Sequence, residues 1–398
     1  LVFWVPVILL FLLAMIAMMV VVHPQWSRNE LLPYPIAEFT TEMMHVPDGG
    51  RVPKVWKNRA FWVSFGLVAA VHLVRVLYVW YPDSMVNISI DWRLSSVFAA
   101  NYPDFYHHSF RPWAVFNGKL YLAVVGLAFL IPTDVSFSLG ITSAALAVFA
   151  YTMWTFGVNY SGYQHEASLA GAYLGMFLMI LYLGRQYYWG VLKAAFGGRR
   201  RASQSIDGSI VWAARICIAA YLGLVFACTT AGLNLWLSAS FVGTIAVLYL
   251  VLARISAETG SPLIQASWKP ASLLFKVFGA TALGPYSLAV ISLLATTLSD
   301  DPREALSCFL ANGFKVAESE KVRPLKLGNT LFAVLLPCGC ATTDAVRITT
   351  GRCSRRGGIS TVWRPPPRPS PGSRDFWRGL PRSKRARGCS VCGVRRSA

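Results

Sequence analysis

Charge is scarce in this chain, and acidic charge is scarcest. Only 14% of the 398 residues are Asp, Glu, Lys or Arg, with 18 acidic against 37 basic. A soluble domain carries about 25% charged residues, so an ordinary water-facing surface is excluded. The signatures of soluble enzymes are missing too. There is no G-x-x-x-x-G-K-[ST] phosphate loop, no G-x-G-x-x-G after a strand, no H-E-x-x-H pair and no nucleophile elbow. Their absence argues against ATP-driven transport by this chain alone, and no cofactor or metal site is expected.

Long apolar runs take the place of charge. Hydrophobic residues make up 55% of the chain and mean hydropathy is +0.48. Residues 1–22, "LVFWVPVILLFLLAMIAMMVVV", hold no charge, and about 20 such residues cross a hydrocarbon core of about 30 Å. A signal peptide fits poorly, because there is no basic n-region and no small-x-small cleavage site. Since the chain opens at Leu1 inside an apolar run, a missing N-terminus is expected. Eight spans are expected, at 1–22, 60–81, 119–132, 136–156, 168–184, 209–228, 235–253 and 274–298. A ninth begins near Leu327 and is lost after Pro337. The runs are continuous rather than alternating, so helices, not a barrel, satisfy the backbone in lipid.

Basic residues in the loops set an orientation. The 23–59 loop carries Arg28, Arg51, Lys54, Lys57 and Arg59, and the 185–208 loop carries Arg185, Lys193 and Arg199–Arg201. Both are expected in the cytoplasm, with 82–118 and 157–167 outside. The basic segment 299–327 then falls outside and fits less well; a re-entrant 274–298 would repair the scheme.

The net charge of +19 is unevenly placed. Residues 338–398 hold 14 Lys/Arg and 2 Asp/Glu, a net +12, together with five of the eight cysteines. Half a zinc site at Cys389-x-x-Cys392 lacks a matching second pair. A lipid-binding basic tail is a second reading. The favoured one is a disordered Arg/Pro/Cys-rich stretch produced by a frame error, which leaves 1–337 as the membrane domain. The charge therefore does not point to a nucleic-acid partner.

Polar residues inside or beside apolar runs are the candidate functional residues. In "GLAFLIPTDVSFSLG", Pro132 breaks a helix just before Asp134, Ser136 and Ser138. A carboxylate at membrane depth marks a pathway; at the surface it is an N-cap. In "HPQWSRNELLPYPIAEF", Pro33 and Pro35 stop any helix, and Glu30 either shapes an elbow or pairs with a neighbouring loop at the mouth of a pathway. In "ARISAETGSPLIQASW", Arg254 and Glu258 are spaced i,i+4 for an ion pair, and Gly260 suits a helix C-terminus. The following run holds Gly279 and Gly284-Pro285, the mark of a discontinuous helix. His72 and Arg75 lie i,i+3 in the second span, His72 being a candidate proton carrier. Gly171 and Gly175 have the small-xxx-small spacing for close helix packing.

Taken in order, "WSRNELLPYPIAEF", "KNRAFWVSFGLVAAVHLV", "GLAFLIPTDVSFSL", "HEASLAGAYLGMFLMILYLGRQYYWGVL" and "ARISAETGSPL" resemble a large bacterial multi-span family catalogued only as a domain of unknown function. The resemblance covers roughly residues 1–336. That family is similar in turn to the oligopeptide transporter superfamily, where a W…E-R-L-x-[FY]-P segment also follows an early span.

The expectation is an all-α polytopic bundle of about eight or nine spans in the bacterial inner membrane. It would act as a proton-coupled secondary transporter of a small peptide-like or metal-chelate solute, not as an enzyme. The alternative is a non-transporting membrane protein, either an intramembrane enzyme or an assembly scaffold. Asp134, Ser136, Glu258, Glu30 and His72 are the pathway candidates. The bilayer is the expected partner, and self-association is compatible with the sequence.

Overall fold

In the computed structural model the described residues are 3–46, 53–84, 86, 91–129, 131–197, 207–261, 264–299, 306–322 and 327–334. All lie within the unit formed by residues 1–339. The tail expected at 338–398 lies outside the described residues.

The uncharged N-terminal run forms α1 (Trp4–Pro24) and passes into a π-helical turn, Gln25–Asn29. Helix cannot continue through Pro33 and Pro35, because proline lacks an amide hydrogen and disfavours the helical region for the residue before it. Leu31 and Tyr34 take left-handed backbone angles, and Pro35 opens α2 (Pro35–Met44), where a missing N–H costs nothing. A short α3 (Lys54–Lys57) precedes α4 (Arg59–Trp80), whose first turn is capped by Asn58 accepting from the Ala60 amide at 3.0 Å. Strands β1 (Asp91–Arg93) and β2 (Asn117–Lys119) form an antiparallel ribbon, with Trp92 opposite Gly118. Between them lie α5 (Ser95–Asn101), α6 (Pro103–His108) and α7 (Pro112–Phe116).

The rest is helical. α8 (Leu122–Ala128) and α9 (Thr133–Thr155) lead to α10 (Gly162–Leu183). A Ser161/Gln164 capping box starts α10. Next come α11 (Arg185–Ala195), α12 (Gly208–Thr230) and α13 (Leu235–Thr259). The chain ends its described part with α14 (Pro270–Phe278), α15 (Ala280–Leu298), α16 (Leu306–Ser319) and a helical stretch at 327–334. The all-α expectation holds, with the small ribbon added.

Seven of the described helices are long and apolar enough to cross a membrane, against the eight or nine expected. The difference at 119–132 is physical: α8 has seven residues, about 10 Å, where a crossing needs about 30 Å. The ninth run shows only its first eight residues, 327–334, within the described part.

The core forms where α1 lies against α12 and α16, and α13 against α16, α12, α10 and α14. Met15, Met19, Phe241, Leu248, Leu252 and Phe314 are fully buried there. One end of this bundle gathers the 23–34 segment, the end of α13 and the start of α11: the Tyr34 amide donates to Ala257 O at 3.0 Å, and the Tyr187 hydroxyl donates to Val21 O at 2.9 Å. Around α9 and α10, the 91–118 segment packs beside the 155–165 turn, with His108 stacked on Trp154 and Phe110 against Tyr160.

The described part of the basic 299–327 segment reaches the end of the bundle that holds the 23–34 segment. Its Lys315 and Glu318 lie against Ser27 and Arg28, the end that also holds Glu30. The stretch 274–298 is not one continuous helix. α14 runs toward the start of α10, where Lys276 pairs with Glu166 at 2.5 Å. The chain turns at Gly279, and α15 begins near the 229–234 turn, where the Tyr286 hydroxyl donates to Ala231 O at 3.0 Å. A second kink falls at Gly284 (φ 72°), a backbone angle open to glycine, and Pro285 restarts the helix. The discontinuity expected at these glycines is present.

Candidate functional site

α15 stops halfway along α13. The Tyr249 hydroxyl donates to Leu298 O at 2.6 Å, and the Ser307 hydroxyl donates to Tyr249 O at 3.1 Å. Tyr249 is fifteenth of the 25 residues of α13. The end of α15 and the start of α16 are therefore fastened to one residue in the middle of the bundle. α16 then follows α13, with Asn312 Nδ2 donating to Ser256 Oγ at 3.1 Å, and reaches the charged end.

Two ionic fastenings meet there, joined by the π-helical turn. In the first, Arg254 of α13 pairs with Glu30 and, at 3.2 Å, with Glu258. Its guanidinium also lies over the Trp26 ring, 5.4 Å from the centroid. Arg254 is only 5% exposed, so its charge depends on these partners. Gln25 Nε2 donates to Glu30 Oε1 at 2.9 Å, and Asn29 Nδ2 to Gln25 Oε1 at 2.6 Å, which holds the carboxylate in place. Gly260 ends α13 at φ 65°, and a Cβ there would lie 2.7 Å from Pro35 Cβ, so only glycine lets the elbow close over the helix end.

The second fastening is Glu318, near the end of α16. Ser27 Oγ donates to its Oε2 and Arg28 Nε to its Oε1 at 3.0 Å. Lys315 Nζ lies 3.8 Å from Oε2 and donates to Ser27 Oγ at 2.9 Å. His23 Nε2 is 3.3 Å from Oε2, but the ring is not aligned for a hydrogen bond, and neither ring nitrogen has a hydrogen-bond partner. Burial would raise the Glu318 carboxyl; the bonds from Ser27 and Arg28, with His23 and Lys315 beside them, outweigh it and hold the group below the usual carboxylate value. Burial pushes the Tyr34 and Tyr188 phenols up, so both stay neutral. Their hydroxyls and Trp26 Nε1 are buried without hydrogen-bond partners.

Of the residues expected from sequence, Glu30 and Glu258 come together on Arg254, so Glu30 pairs with a helix rather than a loop. The others lie elsewhere. Asp134 is exposed in the first turn of α9, with Pro132 in the N-cap position; there its charge offsets the helix dipole. Half-buried Ser136 is two residues on, and His72 is exposed on α4. A Cβ added at Gly171 or Gly175, the spacing expected to pack against a helix, would meet nothing within 4 Å. Sequence reasoning missed His23, Ser27, Lys315 and Glu318. Their one local signal is the i,i+3 spacing of Lys315 and Glu318; the pairing with Ser27 spans 291 residues.

Among the described residues, no group of three or more His, Cys, Asp and Glu is placed to hold a metal ion. What the arrangement does is fasten: Glu318 and Lys315 join α16 to the turn after α1, beside a drier pair that joins the end of that turn to α13. No curated protein and no solved structure matches the chain. The model of one family matches residues 1–349, and the chain belongs to that family, a family of unknown function (DUF6785).

Proposed function

We propose that the protein is a proton-coupled secondary transporter of a small peptide-like or metal-chelate solute, a carrier and not an enzyme. It would reside in a bacterial inner membrane and be distantly similar to the oligopeptide transporters. The observation that carries this reading is the stop of α15 at Tyr249 and the restart of α16 beside it. Helix ends inside a membrane bundle expose backbone carbonyls and amides, and they are tolerated where they line a cavity or a path. The kinks at Gly279 and Gly284 supply the discontinuous geometry on the same stretch. Asp134, with Ser136, is the candidate proton carrier at the start of α9, and His72 a second one on α4.

The test is uptake by the full chain in vesicles loaded with a pH-sensitive dye, under an imposed pH gradient. Trialanine and iron(III) citrate serve as probes. A probe-dependent proton flux above that of protein-free vesicles is expected, and it is expected to vanish in Asp134→Asn while folded yield is kept. No flux with either probe sinks the transporter reading and returns the scaffold or intramembrane-enzyme alternative. Flux equal to wild type in Asp134→Asn removes that residue from the path.

A further inference from the structure

We propose that the stretch 264–268, between α13 and α14, is a water-facing wall inside the bundle, and that its exposed side binds a solute through the solute's amides rather than its charges. The solute class rests on the transporter reading; the water-facing wall does not.

Three observations carry the inference. The first is depth. The Trp268 ring stands edge-on to the Tyr173 ring, 5.4 Å between centroids. Tyr173 is twelfth of the 22 residues of α10, a candidate span. Gly260, before the stretch, lies against Pro35 at the charged end, and α14, after it, carries Lys276 to Glu166 at the start of α10. The chain therefore reaches the middle of the bundle between two helices. The second is the backbone. Residues 264–268 are not helical, and their amides and carbonyls make no hydrogen bond with a described residue. Trp268 Nε1 is buried and has no partner either. Lipid can satisfy none of these groups, so irregular backbone at this depth is kept where protein covers it or water reaches it. The third is the pattern of exposure. Ala266 and Trp268 are buried, at 8% and 3%, while Gln265 and Ser267 are exposed. Buried and exposed residues alternate as on a strand with one face turned inward. The outward face bears a carboxamide and a hydroxyl, which water serves and lipid does not. Together with the free backbone they offer both donors and acceptors, and another amide matches that set, as when an open backbone edge takes up a peptide main chain.

The test places one new thiol at a time in the full chain, in nanodiscs. Modification by a charged, water-soluble methanethiosulfonate is followed by mass spectrometry on the peptide that holds the new thiol, so no natural cysteine is replaced. The thiols of Gln265→Cys and Ser267→Cys are expected to react about tenfold or more faster than those of Ala266→Cys and of Val63→Cys on the exposed apolar face of α4. Folded variants whose 265 and 267 thiols react no faster than the Val63→Cys thiol overturn the wall. Should the variants misfold, the unaltered chain decides: its amides at 264–268 are expected to exchange hydrogen faster than those in the middle of α10, and equal protection overturns the wall. Trialanine is expected to slow the Ser267→Cys reaction about threefold, as filling about two-thirds of the sites would. Iron(III) citrate and fully N-methylated trialanine are expected to leave it unchanged. Slowing by iron(III) citrate alone, or by no probe, overturns recognition through amides. Fast thiols slowed by trialanine in a protein that moves neither probe remove transport and keep the site. Probe-driven proton flux with slow thiols at 265 and 267 removes the site and keeps transport.

Discussion

α4 and α13 are both candidate spans of similar apolar composition, yet none of the residues of α4 is buried and more than half of those of α13 are. The same contrast separates the regions around them. α1, α12, α13 and α16 share a core, while Val63, Leu67, Val76 and Val79 of α4 are exposed. In water such a face would be a fault. In a bilayer it is not, because lipid tails are as apolar as leucine and give helices no hydrophobic reason to pack. The polar residues mark the difference. α13 carries Arg254, Ser256 and Glu258, each bound to a named partner, and α1 ends in His23, with Ser27 in the π-helical turn that follows. Apolarity puts a helix in the membrane, and a few polar contacts decide which helices stay together.

The largest expected effect tests that claim at its strongest contact. Arg254→Met leaves Glu30 without its charge partner in a nearly dry site, and is expected to cost about 3 kcal/mol. Unfolding in mixed micelles checks it, and Arg254→Met combined with Glu30→Leu is expected to recover part of the loss. A cost near zero would break the comparison. Next comes Gly260→Ala, expected to cost about 1–2 kcal/mol from its left-handed backbone alone, and more as its Cβ meets Pro35.

The third effect is one of pH. Glu318 is held below its ordinary value of 4.5, so its contribution is present in full above that value and is lost as pH falls through the lowered one. Thermal melts between pH 7 and pH 3 are expected to drop at the acid end in wild type and to be flatter there in Glu318→Gln. The smallest effect sharpens the other side of the comparison. Val63→Ala and Val79→Ala on α4 are expected to change stability by no more than about 0.5 kcal/mol. Losses of 2 kcal/mol or more at these sites would mean that α4 packs against protein.

Much of the fold was legible in advance, for local reasons. Long apolar runs, Pro33 and Pro35, Gly260 and the Gly279/Gly284 pair act through backbone chemistry that a few neighbouring residues determine, and so does the i,i+4 spacing of Arg254 and Glu258. The Glu318 cluster was not legible, because its partners stand some 290 residues away and nothing in "KVAES" names them. α8 was misjudged because hydropathy measures preference for lipid and not helix length. The Gly171/Gly175 spacing shows only that a close approach is sterically open, which is a permission and not a contact.

Tyr249 has a mechanical consequence. Because it fastens both Leu298 and Ser307, it acts as a fulcrum for α16, and the 12 residues from Ser307 to Glu318 form a lever roughly 17 Å long. A tilt of about 10° at the fulcrum displaces the tip by about 3 Å, as much as the whole length of a hydrogen bond. The bonds at Tyr249 would barely stretch, while the bonds that Ser27 and Arg28 donate to Glu318 would be lost together.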